Sequence, residues 1–315
     1  MVYSKKIDFY FIQFPIIFPL VYLFLLYEFP SLENYLIFFT ILLLAEPHFG
    51  ATWTIFFNNK NYFFFQKKKY IFYGGSFLII FFSIIGFFYF KNLFFSIFYG
   101  FNIFHVTRQS LGICKLYNTN QNHIIFQKYS IYMFNFLFFL VGILRFYIPV
   151  ITENEILLIS SLSLTLVFLF FLIELYIYKS LKNTITTLTG LIIFFPICFV
   201  GNPIHAILLG VTMHYSQYIL ITAKVYFGRI DSLNFFKKKN LLKILKTNFF
   251  LTILFYGLIM AILSVSGKAD INYIKNLIII PIIGQMLHFY LDGYLWKFSN
   301  SHNREITLKY LIKEI

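Results

Sequence analysis

Apolar runs of membrane-crossing length recur along almost the whole chain, near residues 8–27, 35–57, 71–90, 93–113, 130–150, 156–178, 185–200, 204–227, 248–266 and 274–296. A helix needs about 20 mostly apolar residues to cross the hydrocarbon core, and irregular backbone cannot meet lipid without orphaning its polar groups. The pattern therefore predicts an all-α fold, a polytopic transmembrane helix bundle of about ten spans. The run at 185–200 is short and the third and fourth runs are tightly joined, so nine spans is the alternative. With 59% hydrophobic and only 12% charged residues, the chain lies far from the roughly 25% charged of a soluble domain.

The net charge of +14 raises the question of nucleic acid, and its distribution answers it. With a cytoplasmic N-terminus, the segments 1–7, 58–70, 114–129, 179–184, 228–247 and 297–315 face inward and hold 20 of the 26 Lys and Arg residues. The outer loops hold Lys91, Lys268 and Lys275 beside Glu28, Glu33, Glu153 and Glu155. The positive-inside rule then places both termini in the cytoplasm and requires an even number of spans. The basic stretch "NFFKKKNLLKILK" (234–246) is expected to lie against anionic lipid, and no nucleic-acid partner is expected. The expected organisation is one transmembrane domain over 1–297 and a tail over 298–315, at most a short amphipathic helix on the inner surface. Cys114 and Cys198 fall in separate apolar runs and give no disulfide framework.

Ionisable residues inside the hydrocarbon are costly, so each is a functional candidate. Four stretches stand out: "AEPHFGATW" (45–53), "FNIFHVTRQSLG" (101–112), "HAILLGVTMHYSQY" (205–218) and "MLHFYLDGYLW" (286–296). All belong to even-numbered spans, which run in the same direction. Counted to the inner basic boundary, His48, His105, His214 and His288 lie 12, 10, 10 and 9 residues deep. At about 1.5 Å rise per residue these depths agree within one helical turn. Four histidines in one layer suit a metal centre, since imidazole is the commonest metal ligand among side chains and bundle-core sites draw ligands from facing helices.

The neighbours suit supporting roles, because a ligating histidine normally gives its second N–H to an acceptor. Asp292 follows His288 by four residues; Gln217 and Tyr218 follow His214 by three and four; Gln109 follows His105 by four. Glu46 is two residues from His48, about 200° round an ideal helix, and joins it only where Pro47 distorts the turn. His205 is nine residues before His214 and reads as the outer mouth of its span, while His123 and His302 fall in solvated segments. Arg145 and Glu174 lie near span ends and are expected to snorkel. Trp53 and Trp296 read as interface anchors. Gly50, Gly112, Gly210, Gly284 and Gly293 read as sites of close helix approach.

The layer is expected to hold non-haem iron, which leaves open positions for dioxygen, in an enzyme acting oxidatively on a lipid-soluble substrate. Arg108, Tyr215 and Asp292 are the candidates for orienting substrate or moving protons. Haem held by two facing histidines would make the protein an electron carrier, and zinc is the other metal considered. A transporter using Arg108, Asp292, Glu46 and the histidines as a proton relay is the alternative from another class.

The single histidines on several spans, with "PHFG", "FHVTRQSLG" and "HFYLDGYLWKF", resemble the bacterial Brp/Blh carotene-cleaving dioxygenases. The resemblance covers scattered motifs, and the chain departs from the family in having no closely spaced histidine pair. It implies that His48, His105, His214 and His288 ligate iron and that the substrate is an isoprenoid such as a carotene. The expected location is a bacterial cytoplasmic membrane.

Overall fold

A computed structural model describes residues 2–57, 59–118, 120–148, 150–231, 248–268 and 272–312. The basic run 234–246 lies outside them. Helices cover every one of the ten apolar runs, and no strand occurs among the described residues. In chain order they are α1 (Lys5–Gln13), α2 (Ile17–Glu28), α3 (Pro30–Phe56), α4 (Asn59–Lys67), α5 (Tyr70–Tyr89), α6 (Lys91–Tyr117) and α7 (Gln121–Tyr147). They continue with α8 (Glu153–Tyr178), α9 (Leu181–Ile192), α10 (Pro203–Asp231), α11 (Phe249–Val265), α12 (Asn276–Leu295) and α13 (Ser301–Ile306).

Six of these, α3, α5, α7, α8, α10 and α12, are long and apolar enough to cross a membrane, and α1 with α2 makes a seventh if that bent pair is one span. The others depart from the requirement for identifiable reasons. α6 is 27 residues long but is interrupted by Asn102, His105, Arg108 and Gln109. α9 stops after 12 residues and gives way to a short 3-10 turn at Phe195–Cys198. α11 has 17 residues. α8 turns Leu157, Leu158, Leu162 and Phe168 outward, a surface suited to hydrocarbon rather than water. Its ends are set by local chemistry. Thr152 and Glu155 form a reciprocal capping box at the start, and Lys179 closes it in the left-handed region with φ 49°.

The chain divides into two compact units, each assembled from distant stretches: Tyr3–Ile37 with Ser96–Gln217, and Phe38–Phe95 with Tyr218–Ile315. The first unit is organised around a broken helix. α1 ends in a π-helical turn at Phe9–Gln13, Pro15 follows, and α2 sets off at 52° to it. A helix end with a proline beyond it leaves carbonyls without partners. Three consecutive ones are taken up by side chains: Phe11 O by Ser216, Ile12 O by Gln217 and Gln13 O by Thr189. Arg145 does the same for the end of the 3-10 turn, donating to the carbonyls of Ile197 at 2.7 Å and Val200 at 2.9 Å. Its guanidinium is therefore a backbone cap, not the snorkelling group expected. At Gly210 any Cβ would collide with the carbonyl oxygen of Ile193, so α10 passes that backbone only because the position is glycine.

In the second unit Ala51, Tyr218, Ala223, Tyr226, Phe249 and Ile253 pack as one buried cluster. Gly50 lets the Tyr256 ring approach to 2.8 Å of where a Cβ would stand. Gly112, by contrast, faces open space and mediates no close approach. In the tail, α13 is short, and Asn303, Thr307 and Leu311 are buried while Ser301, Arg304, Glu305 and Lys309 are exposed. Arg229 donates to the Ile306 carbonyl and the Thr307 hydroxyl.

Candidate metal-binding histidines

Each unit holds two of the four histidines, side by side and buried. In the first unit, α6 carries His105 and α10 carries His214, with ring centroids 5.7 Å apart and planes at 86°. Each offers a ring nitrogen within 4.8 Å of the other, a spacing that admits an ion. Tyr215 is buried, its ring 6.0 Å from that of His214. Gln217 gives its amide N–H to the Ile12 carbonyl at 2.6 Å, so its donor mends the helix break, while its amide oxygen is buried and takes no part in that bond. Gln109 is half-buried. Arg108 is exposed, its guanidinium 5.7 Å from the centre of the Phe104 ring. One turn after Phe104, its long side chain reaches out along the helix surface.

In the second unit, His48 and His288 lie with ring centroids 4.5 Å apart. His48 sits just after Pro47, and the backbone before that proline relaxes into a π-helical turn at Ile41–Ala45. Such bulges absorb the missing N–H of a proline and are frequent at functional positions. Glu46 opens the following α-helical stretch and accepts from Gln285 at 3.1 Å. Glu46 is thus anchored to α12, three residues ahead of His288.

Around His288 a hydrogen-bond chain has formed. Thr52 Oγ1 is 2.6 Å from His288 Nδ1 and 2.6 Å from the Tyr218 hydroxyl, which donates to Asp292 Oδ1 at 2.8 Å. Thr52 Oγ1 also donates to Asp292 Oδ1 at 3.1 Å, so the hydroxyls of Thr52 and Tyr218 both close on the carboxylate beside the imidazole. An imidazole proton on Nδ1, given to Thr52, is the tautomer in which Nε2 presents a lone pair to a metal. That Nε2 lies 3.8 Å from Asp292 Oδ2, too long for a hydrogen bond and wide enough for both atoms to face one cation. Trp296 N–H donates to the Tyr218 oxygen at 3.3 Å, so this tryptophan belongs to the network and not only to an interface belt. All of these groups are buried or nearly so.

Thr52 is the residue the sequence reading passed over. It lies four residues after His48, on the same helical face, and that spacing is the signal that marks it. Two further polar groups in the first unit were also misplaced by sequence. His123 and Glu174 are buried and hydrogen-bonded to each other, with Gln127 and Thr187 donating to the same carboxylate oxygen. His123 is not solvated and Glu174 does not snorkel. His205, at the start of α10, bridges the Tyr22 hydroxyl at 2.6 Å and Glu33 at 2.7 Å.

No family model matches the chain, and no curated protein or solved structure matches it.

Proposed function

We propose that the protein is an integral membrane metalloprotein in which His48, His105, His214 and His288 hold an ion, non-haem iron before zinc or haem iron. The reading continues that it acts oxidatively on a lipid-soluble substrate, an isoprenoid or a fatty lipid. The observation that carries the reading is the buried chain from His288 through Thr52 and Tyr218 to Asp292, which fixes the orientation of one imidazole and sets a carboxylate beside its Nε2. The paired imidazoles of His105 and His214 support it. That all four histidines stand at one depth along their helices favours a single shared ion. The proposal carries with it about ten spans with both termini cytoplasmic, in a bacterial cytoplasmic membrane.

Iron, when bound, supplies one-electron chemistry toward dioxygen. The chain's own residues do the rest. Asp292 balances the charge of a cation, the Thr52–Tyr218 pair fixes the ring of His288, and Tyr215, buried beside His214, would orient a substrate. The resemblance to the carotene-cleaving dioxygenases supports a long polyene as substrate, entering sideways from the bilayer.

Metal analysis of protein purified anaerobically, wild type against His105→Ala and His288→Ala, tests the reading. Stoichiometric iron is expected in the wild type and loss of it in both variants. Iron retained in either variant rules out a shared ion, and a wild type free of metal ends the proposal. Zinc in place of iron would keep the centre and remove the oxidative assignment. A Soret band would replace non-haem iron with haem.

A further inference from the structure

α7 opens with Gln121, Ile124, Ile125 and Lys128 spaced i, i+3, i+4 and i+7, which puts them on one face of the helix. Lys115 and Asn118, three residues apart at the end of α6, complete the wall of a hollow of about 570 Å³. Its lining has two characters. Two ammonium groups and two amides supply donors for an anion, and two isoleucines supply an apolar side. No carboxylate lines it, and neither lysine enters an ion pair among the described residues. Asn118 is buried and held in place by Gln127 and by the backbone N–H of Asn120, so this part of the wall is set before any ligand arrives.

Position supplies the second argument. α7 is one of the helices able to cross a membrane, and the hollow lies along its first two turns. Lys128 is seven residues in, about 10 Å from the helix start, a depth from which a lysine reaches the headgroup layer. The exposed lysines Lys67, Lys68 and Lys69 beside α4 carry more charge and serve as the comparison for charge alone.

We propose that this hollow binds the headgroup phosphate of an anionic phospholipid, Lys115 and Lys128 meeting the phosphate oxygens and Ile124 and Ile125 the upper part of an acyl chain. The mixed lining favours a lipid over a free anion, because inorganic phosphate would leave the isoleucine side without a partner. Basic pockets at the ends of membrane helices recognise lipid headgroups in this manner. The site is independent of the histidines, and its test reads lipid, not metal.

Native mass spectrometry of the full-length protein, released from detergent with phosphatidylglycerol or phosphatidylcholine, decides the matter. One phosphatidylglycerol is expected to survive activation that strips phosphatidylcholine. Lys115→Gln with Lys128→Gln is expected to weaken it roughly 30-fold, each lysine near an anionic headgroup being worth about a factor of five. Lys67→Gln, Lys68→Gln and Lys69→Gln together are expected to leave it in place. Equal retention of the two lipids, or unchanged phosphatidylglycerol in the double variant, overturns the proposal. So does saturable binding of inorganic phosphate at the same lysines that displaces the lipid, since it would mark a small-anion site. An unchanged melting temperature in the double variant separates lost binding from lost folding.

Discussion

The two units use the same kinds of polar residue for different ends. In the second, Thr52, Tyr218 and Asp292 spend their hydrogen bonds on an imidazole and on one another. In the first, Ser216, Gln217 and Thr189 spend theirs on three carbonyls exposed by the break between α1 and α2. Gln217 and Asp292 looked equivalent, each a few residues after a histidine on the same helix. The difference lies in what each meets across the packing. A helix end near Pro15 has acceptors to fill, whereas the continuous helix around His288 leaves its side chains available to the site. Buried backbone carbonyls must be paired, so where a helix breaks they draw the donors of nearby polar side chains.

That contrast can be broken by experiment. Glu174→Ala should have the largest effect, since it leaves His123, Gln127 and Thr187 in a buried site without their shared acceptor. A loss of about 3–5 kcal/mol is expected from breaking a buried pair, read by thermal unfolding in micelles, with the metal content of the folded fraction unchanged. Gln217→Leu should follow. It orphans the Ile12 carbonyl and should lower stability by about 1–3 kcal/mol, again without loss of metal. Should Gln217→Leu strip the metal while the protein melts normally, the distinction between the units fails.

Asp292→Asn tests the other side. The amide cannot balance a cation, and metal affinity should drop about 10–100-fold, or about 1.4–2.7 kcal/mol, in a chelator competition. Thr52→Val keeps the side-chain shape and cuts the chain at its middle, so a smaller fall, about tenfold, is expected. A metal affinity untouched by Thr52→Val would show that the orientation of His288 does not depend on that chain.

The smallest effect concerns pH. His302 stacks on Phe64 with ring centroids 4.3 Å apart, and burial first, then the charges of Arg229 and Lys68, push its pKa below 6.5. The unfolded chain therefore binds its proton more readily than the folded one, and stability present above 6.5 declines as pH falls below it. His302→Phe should keep the stacking and flatten the melting temperature against pH in that range. An unchanged slope would assign the acid sensitivity to another group.

Much of this was legible in the chain, and the reasons for the rest are specific. The helices follow from apolar length, which is a local property. The burial of His48, His105, His214 and His288 follows from their place inside apolar runs. His123 misled because it stands among Asn118, Asn120 and Gln121, which read as a solvated turn. The structure starts α7 at Gln121, so His123 falls in its first turn, with its partner Glu174 lying 51 residues away. Arg108 misled in the opposite sense: it sits in a histidine motif, yet packing turned it outward over Phe104.

The sequence by itself determined an all-helical chain, apolar enough for a bilayer, with four deep histidines and Asp292 one turn beyond His288. Those properties depend on neighbours along the chain, and hydrophobic length and helical period report them directly. Only the tertiary structure decided that Thr52 joins His288 to Tyr218 and Asp292, that Gln217 serves a broken helix, and that His123 and Glu174 share a buried network. Hydrogen bonds are short and directional, so a polar side chain's role is set by whichever donor or acceptor packing brings within about 3 Å. In these networks that partner comes from far along the chain.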